Sequence, residues 1–301
     1  MGGITLSILE VNELTKDYGS HKGIFDITFS MEEGDVFGYL GPNGAGKTTN
    51  LRCLMGFLNP NHRNCLIMGM DCRLEQENIQ KNIGYLPGEI AFFDEMTGDN
   101  FLDLMGSMRS IKNMERRIQL VDRFQLDTMG KIRKMSKGMK QKLAIVSAFM
   151  HDPKVYILDE PTAGLDPLMQ NVFVELILEE KKKGKTILMS SHNFEEVSRT
   201  CNKVGIIRDG NLVAVEEIHS LLSVQKKNYF ITFTSNEDAN AFLKMIPDSR
   251  MAGELVVETW ITGDMNSLIK TMGQFNVRDI QVSSRNLEEV FMRYYGGGSH
   301  D

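Results

Sequence analysis

Cysteine is scarce in this 301-residue chain, and the four present, Cys53, Cys65, Cys72 and Cys201, show none of the paired spacing that a structural zinc takes. They read as reduced thiols of a cytosolic protein and not as a disulfide framework. Long apolar runs are missing too. None approaches the ~20 residues needed to cross a bilayer. The opening Met1-Gly2-Gly3-Ile4-Thr5 has neither the charged nor the apolar region of a signal peptide. Any work at a membrane is therefore expected to pass through a partner. Excess positive charge is also lacking: the formal net charge is −6, which argues against general nucleic-acid binding, since that favours basic faces. What remains, 42% hydrophobic and 25% charged residues, is the make-up of a soluble globular protein with room for one large domain or two ordinary ones.

Glycine, by contrast, is concentrated where it matters. Gly41-Pro42-Asn43-Gly44-Ala45-Gly46-Lys47-Thr48-Thr49 fits the phosphate-loop pattern, with Gly41, Gly46, Lys47 and Thr48 at the required places. A polyphosphate packs several negative charges into little space, so its binder must gather backbone N–H groups closely. Glycines at 41, 44 and 46 permit that approach and the left-handed backbone it demands. Lys47 is placed to reach the β- and γ-phosphates, and the Thr48 hydroxyl to bind Mg²⁺. Val36–Leu40 before the loop reads as a buried strand and Thr49–Met55 after it as a helix, which sets the phosphates on a helix N-terminus.

Residues 8–40 read as strands leading into this loop, and Cys65–Gly69 and Ile83–Pro87 as further strands. From Thr97 to about Met150 the period turns helical, with Thr97 as an N-cap and three runs: Phe101 to Met108, Met114 to Phe124, and Lys137 to Met150. This block, about 93–152, reads as a helical subdomain inserted in an α/β core. The core resumes with the strand Val155–Leu158, the helix Pro167–Lys183 and the strand Thr186–Ser190. A hairpin follows around Asp209-Gly210-Asn211. Helices alternating with buried strands argue for a mainly parallel sheet. The polar stretch Gln225-Lys226-Lys227-Asn228 reads as a boundary, so the first domain is expected over 1–224. Beyond it, three strand and three helix patterns, the last helix over Leu287–Tyr295, make a small α+β module over 225–295. Residues 296–301 read as a flexible tail.

Val155 to Leu158 is followed by Asp159-Glu160-Pro161-Thr162, which places two carboxylates at the end of a buried strand. Buried carboxylates need partners, and in an α/β sheet ligands bind beyond the carboxyl ends of strands, where these two would meet the phosphate loop. Asp159 is then suited to Mg²⁺, and Glu160 to orienting or deprotonating the attacking water. His192 follows the next core strand and is placed to contact the γ-phosphate and hold that water. A loop histidine is also compatible with a plain surface residue.

With these motifs in this order, residues 8 to about 220 resemble the nucleotide-binding subunits of ABC transporters, a P-loop NTPase fold. Met135-Ser136-Lys137-Gly138-Met139 occupies the place of the family's signature motif, Ala163-Gly164-Leu165-Asp166 that of the loop after the Asp-Glu strand, and Ser191-His192 that of the switch histidine. Tyr18 matches the aromatic that stacks on adenine. The resemblance implies ATP and Mg²⁺ as ligands. It also implies a head-to-tail homodimer or heterodimer, in which each ATP lies between one subunit's phosphate loop and the other's signature motif, with Asp166 in the dimer loop. Ser136 is in itself a good N-cap for the helix beginning at Lys137. The Asn286-Leu287-Glu288-Glu289-Val290-Phe291 ending resembles subunits of bacterial drug, bacteriocin or antibiotic exporters. That implies a separate transmembrane permease and a place on the cytoplasmic face of the membrane.

Two departures from the family stand out. Lys137 and Met139 replace the signature's usual Gly and Gln, and Gly88 stands where the family has a glutamine, leaving Glu89 as the nearest side chain. Lys131, Arg133, Lys134, Lys137, Lys140 and Lys142 also cluster around the signature. They read either as a field aimed at the nucleotide or membrane headgroups, or as a solvated helix face. The competing function is a soluble ATPase of the same family acting on ribosomes or nucleic acid. A non-catalytic nucleotide-binding regulator is disfavoured by intact Lys47, Asp159, Glu160 and His192.

Overall fold

The computed structural model describes residues 7–223, 227–246, 249–261, 265–283 and 291–292. The chain divides into two compact units, Met1–Ile218 and His219–Asp301. The break falls earlier than the polar stretch at Gln225 suggests, because Ile218–Ser223 forms a short helix. The helix expected over Leu287–Tyr295 lies outside the described residues except for Phe291 and Met292, and the tail over 296–301 lies wholly outside them.

In the first unit the strands are β1 (Leu9–Asp17), β2 (Gly23–Met31), β3 (Val36–Leu40), β4 (His62–Ile67), β5 (Met70–Asp71), β6 (Ile83–Leu86), β7 (Val155–Asp159), β8 (Thr186–Ser191), β9 (Lys203–Arg208) and β10 (Asn211–Glu217). Between them lie helices α1 (Lys47–Leu54), α2 (Gln76–Asn82), α3 (Gly98–Met108), α4 (Glu115–Arg123), α5 (Lys137–Phe149), α6 (Pro167–Lys182) and α7 (Phe194–Thr200). All ten strands join one sheet, in the order β5-β4-β1-β2-β10-β9-β3-β8-β7-β6.

The sheet has two characters. From β9 to β6 every pairing is parallel, and β3, β7 and β8 are buried at every residue, as strands covered on both faces must be. From β5 to β2 the pairings are antiparallel, and β2 alternates buried and exposed residues as a one-sided strand does. The expectation of a mainly parallel sheet thus describes one half. Phe29 of β2 stacks on Phe37 of β3, with ring centroids 4.9 Å apart, inside a core that also takes in Leu51, Leu54 and Ile157.

The parallel register positions the site. Leu86 pairs with Leu158, Asp159 with Ser190, and Leu40 with Ser191. The carboxyl ends of β6, β7, β8 and β3 therefore come level, and Gly88, Asp159, Ser191 and the phosphate loop all leave from one edge. The helical block begins with Thr97, whose Oγ1 accepts from Asn100 N–H (3.2 Å) at the start of α3.

Helix α8 (Ile218–Ser223) begins at the last residue of the first unit, and the second unit has strands β11 (Lys227–Phe233), β12 (Ser249–Met251), β13 (Val256–Ile261) and β14 (Val277–Ser283). Helices α9 (Asn236–Met245) and α10 (Met265–Met272) lie between them in sequence. The antiparallel sheet runs β12-β13-β11-β14, around a core of Tyr229, Ile231, Phe233, Phe242, Val257 and Leu268. Among the described residues of both units, no helix is long and apolar enough to cross a membrane.

Candidate functional site

The phosphate loop runs from the end of β3 into α1. Gly44 (φ 83°) and Gly46 (φ 108°) take left-handed backbone, and a Cβ on Gly46 would lie 2.6 Å from the Ile24 side chain, so glycine is needed there twice over. Gly46 is also the N-cap of α1. It offers no side chain to the first N–H groups, and the first turn holds no acid that would repel an anion. Lys47 is buried. Its Nζ donates to the carbonyls of Gly41 (2.6 Å) and Pro42 (3.2 Å) and lies 3.3 Å from Glu160 Oε1. The loop faces a cleft of about 600 Å³ whose lining includes Tyr18, Lys22, Asn43, Lys47, Thr48 and Glu160. Tyr18 stands at its rim, 55% exposed, with the Lys16 ammonium 5.5 Å from its ring centroid.

Asp159 and Glu160 have different surroundings. Asp159 is fully buried. Oδ1 accepts from Ser190 Oγ (2.5 Å), while Oδ2 has no hydrogen-bond partner among the described residues. Ser190 Oγ in turn accepts from Glu160 N–H (3.0 Å), so one hydroxyl ties both acidic residues to β8. Glu160 adopts φ 48°, a left-handed conformation uncommon for a non-glycine residue. Its carboxylate spans the site: Oε1 toward Lys47, and Oε2 2.6 Å from His192 Nδ1.

Around the signature stretch, Ser136 caps α5 by accepting from Met139 N–H (3.2 Å). A Cβ on Gly138 would sit 2.9 Å from the Gly164 carbonyl, and the Lys137 stem lies 3.2–3.3 Å from where a Cβ on Gly164 would stand. Asp166 caps α6, its Oδ1 accepting from Met169 N–H (3.0 Å) ahead of Pro167 at the first turn. Lys137 and Gly138 thus pack against the Gly164 loop, and none of Ser136, Lys137, Gly138, Met139 and Asp166 lines the cleft that holds Lys47.

Residues 24–163 match the family model for the ABC transporter. The linearmycin resistance ATP-binding protein LnrL of Bacillus subtilis is 30% identical over 96% of this chain and 98% of its own. The bacitracin transport ATP-binding protein BcrA of Bacillus licheniformis is 31% identical over 97% and 99%. This chain belongs to the ABC transporter ATP-binding proteins. Among solved structures, an ATP-binding subunit of an ABC transporter superposes with a TM-score of 0.66 at 30% identity, over 71% of this chain and 92% of that one. A dimeric ATP-binding cassette in a post-hydrolysis state with ADP and Pi shares the fold, with a TM-score of 0.64 at 19% identity, over 70% and 98% of the two chains. The chain is an ABC ATPase.

Against that identity the departures gain structural content. A Cβ on Gly88 would lie 2.9 Å from Asp159 Oδ2, so the position of the family's glutamine abuts the unpartnered oxygen. Glu89 does not take over that place. Its side chain is 93% exposed and stands 3.8 Å from Arg52 Nη2 at the surface. Half of the basic cluster is neutralised: Lys131 and Arg133 pair with Glu95 (2.8 and 3.0 Å), and Lys140 with Asp94 (3.5 Å). That favours the solvated helix face for those three.

Several residues that hold the site of this ABC ATPase belong to none of its motifs. Ser190 was recognisable only as a polar end to an apolar strand. Gln141, one turn into α5, donates to the Pro161 carbonyl (2.7 Å) and joins the signature helix to the Glu160 loop. Helix α7 carried a visible signal, Asn193 followed by Glu195 and Glu196, and Asn193 Oδ1 does cap it, accepting from both N–H groups (3.0 and 3.1 Å). Glu196 is buried, with Oε2 accepting from Ser191 Oγ (2.8 Å) and Thr162 Oγ1 (3.1 Å). Burial pushes its carboxyl up to about 7, against the opposing pull of those two hydroxyls.

Proposed function

We propose that this ABC ATPase drives export through a transmembrane permease carried on a separate chain, at the cytoplasmic face of the membrane, by hydrolysing ATP within a head-to-tail dimer. The observation that carries the chemistry is the position of Glu160, between Lys47 Nζ at 3.3 Å and His192 Nδ1 at 2.6 Å. With ATP bound, Lys47 turns from the loop carbonyls and Glu160 to the β- and γ-phosphates. This frees the Glu160 carboxylate to accept a proton from water, while His192 holds the outer side of that water. Tyr18 offers its exposed face to adenine. Ser136 and the Gly138 backbone, which do not line their own cleft, serve the nucleotide of the second subunit.

A divalent cation fits the oxygen donors present. Asp159 Oδ2 is buried without a hydrogen-bond partner among the described residues, and Thr48 lines the cleft beside Lys47. Mg²⁺ held there would neutralise charge on the phosphates. The export assignment draws on the relatives named for linearmycin resistance and bacitracin transport, which match over nearly the whole chain.

Glu160→Gln tests the chemistry. Turnover should fall by roughly 10²–10³ while ATP binding persists, and an ATP-dependent dimer should accumulate in light-scattering measurements. Near-normal turnover rejects the role given to Glu160. Co-purification of a membrane chain from detergent extracts, with stimulation of ATPase activity, tests the partner. Sedimentation with ribosomes instead supports a soluble ATPase.

A further inference from the structure

Glu196 is buried in the first turn of α7, three positions after the capping Asn193, where an acidic residue ordinarily reaches back to the N–H of the cap. It does not do so here. Asn193 N–H donates instead to Ser191 Oγ (3.0 Å), and the Glu196 carboxylate is turned into the protein. Its Oε2 accepts from Ser191 and from Thr162, a residue 34 positions away in sequence, and its Oε1 is buried without a hydrogen-bond partner among the described residues. Helix capping therefore does not account for a carboxylate at this place, and burying one costs stability.

The two hydroxyls explain it. Thr162 lies two residues after Glu160, and Ser191 immediately precedes His192. We infer that Glu196 is a positioning residue: its carboxylate clamps the loop that carries Glu160 to the loop that carries His192, and so fixes the geometry of the reacting pair. The pair needs such a clamp. The His192 side chain is 64% exposed, and it is anchored by the bond to Glu160 itself. That bond must change when Glu160 takes a proton, whereas the bonds through Glu196 lie one shell back and persist. From the other side, Gln141 holds the Pro161 carbonyl, so the Glu160 turn is gripped between α5 and α7.

The inference rests on Glu160 and His192 acting in hydrolysis, and His192→Ala assayed alongside tests that premise by itself. In steady-state ATPase assays of the full chain, Glu196→Ala should lower kcat by tenfold or more, the scale of a misplaced reacting group, roughly 10–10². KM for ATP should stay within about threefold, because Tyr18, Lys47 and the phosphate loop are untouched. Glu196→Gln keeps an oxygen that accepts both hydroxyls and should restore kcat to within about threefold of the parent. Thr162→Val should lower kcat in the parent but add nothing in the Glu196→Ala background, since both remove one connection. If Glu196→Ala proves too unstable to assay, Thr162→Val and Ser191→Ala carry the test. An unchanged kcat in those variants, a loss that Gln does not recover, or additive effects of Thr162→Val and Glu196→Ala would overturn the inference. Loss in the Glu196 variants together with normal turnover in His192→Ala would leave Glu196 important while removing the pair it was said to align.

Discussion

Glu180 and Asp159 are both fully buried carboxylates of the same unit, yet their surroundings are opposite. Glu180, on α6, accepts from Tyr156 OH (3.2 Å) and is met by Arg116 Nη2 (2.9 Å) and Lys183 Nζ (2.8 Å). Those contacts tie α4 of the helical block to β7 and α6 of the core. Asp159, at the carboxyl end of β7, has one hydroxyl on Oδ1 and, among the described residues, no hydrogen-bond partner on Oδ2. A saturated buried acid holds parts together. A half-saturated one, level with a phosphate loop and facing a position without a side chain at Gly88, leaves an oxygen open to the cation proposed for the site.

The largest expected effects sharpen this contrast. Asp159→Asn keeps the volume and the Ser190 contact but removes the charge, so turnover should fall by roughly 10²–10³. Thermal stability should hold or rise, because a partly unsatisfied buried charge has been removed. Glu180→Ala should do the reverse: it leaves Arg116 without its closest acidic partner and should cost about 3 kcal/mol in denaturant unfolding, with turnover per folded molecule preserved. If both variants lost stability alike, the distinction between a structural and a functional acid would collapse.

A smaller effect concerns Glu196, which shares the half-saturated character of Asp159. Its folded-state carboxyl is raised by burial to about 7 from an ordinary 4.5, so the native state binds the proton more tightly than the unfolded chain. Stability is therefore fullest below the unfolded value and declines as pH rises toward and through about 7. Glu196→Gln has no such proton. Melting temperatures measured from pH 5 to pH 8 should show the parent losing ground to this variant, by on the order of 1–3 kcal/mol at the upper end. Parallel curves would mean that Glu196 stays in one protonation state throughout.

The smallest effect concerns Lys137. A lysine in the first turn of α5 opposes the helix dipole by ~0.3–1 kcal/mol, yet its stem packs on Gly164. Lys137→Gly should leave stability unchanged or slightly improved and weaken ATP-driven dimerisation in the Glu160→Gln background, more at low salt than at high. Equal dimerisation at both salt concentrations would assign the contact to Ser136 and Gly138 alone.

Where local chemistry dictated structure, the chain could be read directly. The phosphate loop needs glycine at 44 and 46 whatever surrounds it, Thr97 and Ser136 cap the helices they precede, and Val155–Asp159 has only one way to be buried. Helices α2 and α7 are not legible in the sequence because each is seven residues long, too short for a clear amphipathic period, and both are held by tertiary contacts. The antiparallel half of the sheet was not distinguished from the parallel half, since strand pairing is a long-range choice that local pattern does not encode.

The sequence by itself determined that this protein binds a nucleoside triphosphate through a strand–loop–helix unit and carries an Asp-Glu pair at the end of a second strand. Those features depend on backbone conformation and residue type at fixed spacing. Tertiary structure alone decided that Ser190, paired in register with Asp159, ties both acids to β8, and that Gly88 leaves one of them open. It also decided that Glu196 reaches two hydroxyls separated by 29 positions in sequence, Thr162 and Ser191. The reason is physical: the partners of a buried polar group are chosen by which strands lie side by side, and that is settled only when the sheet has formed.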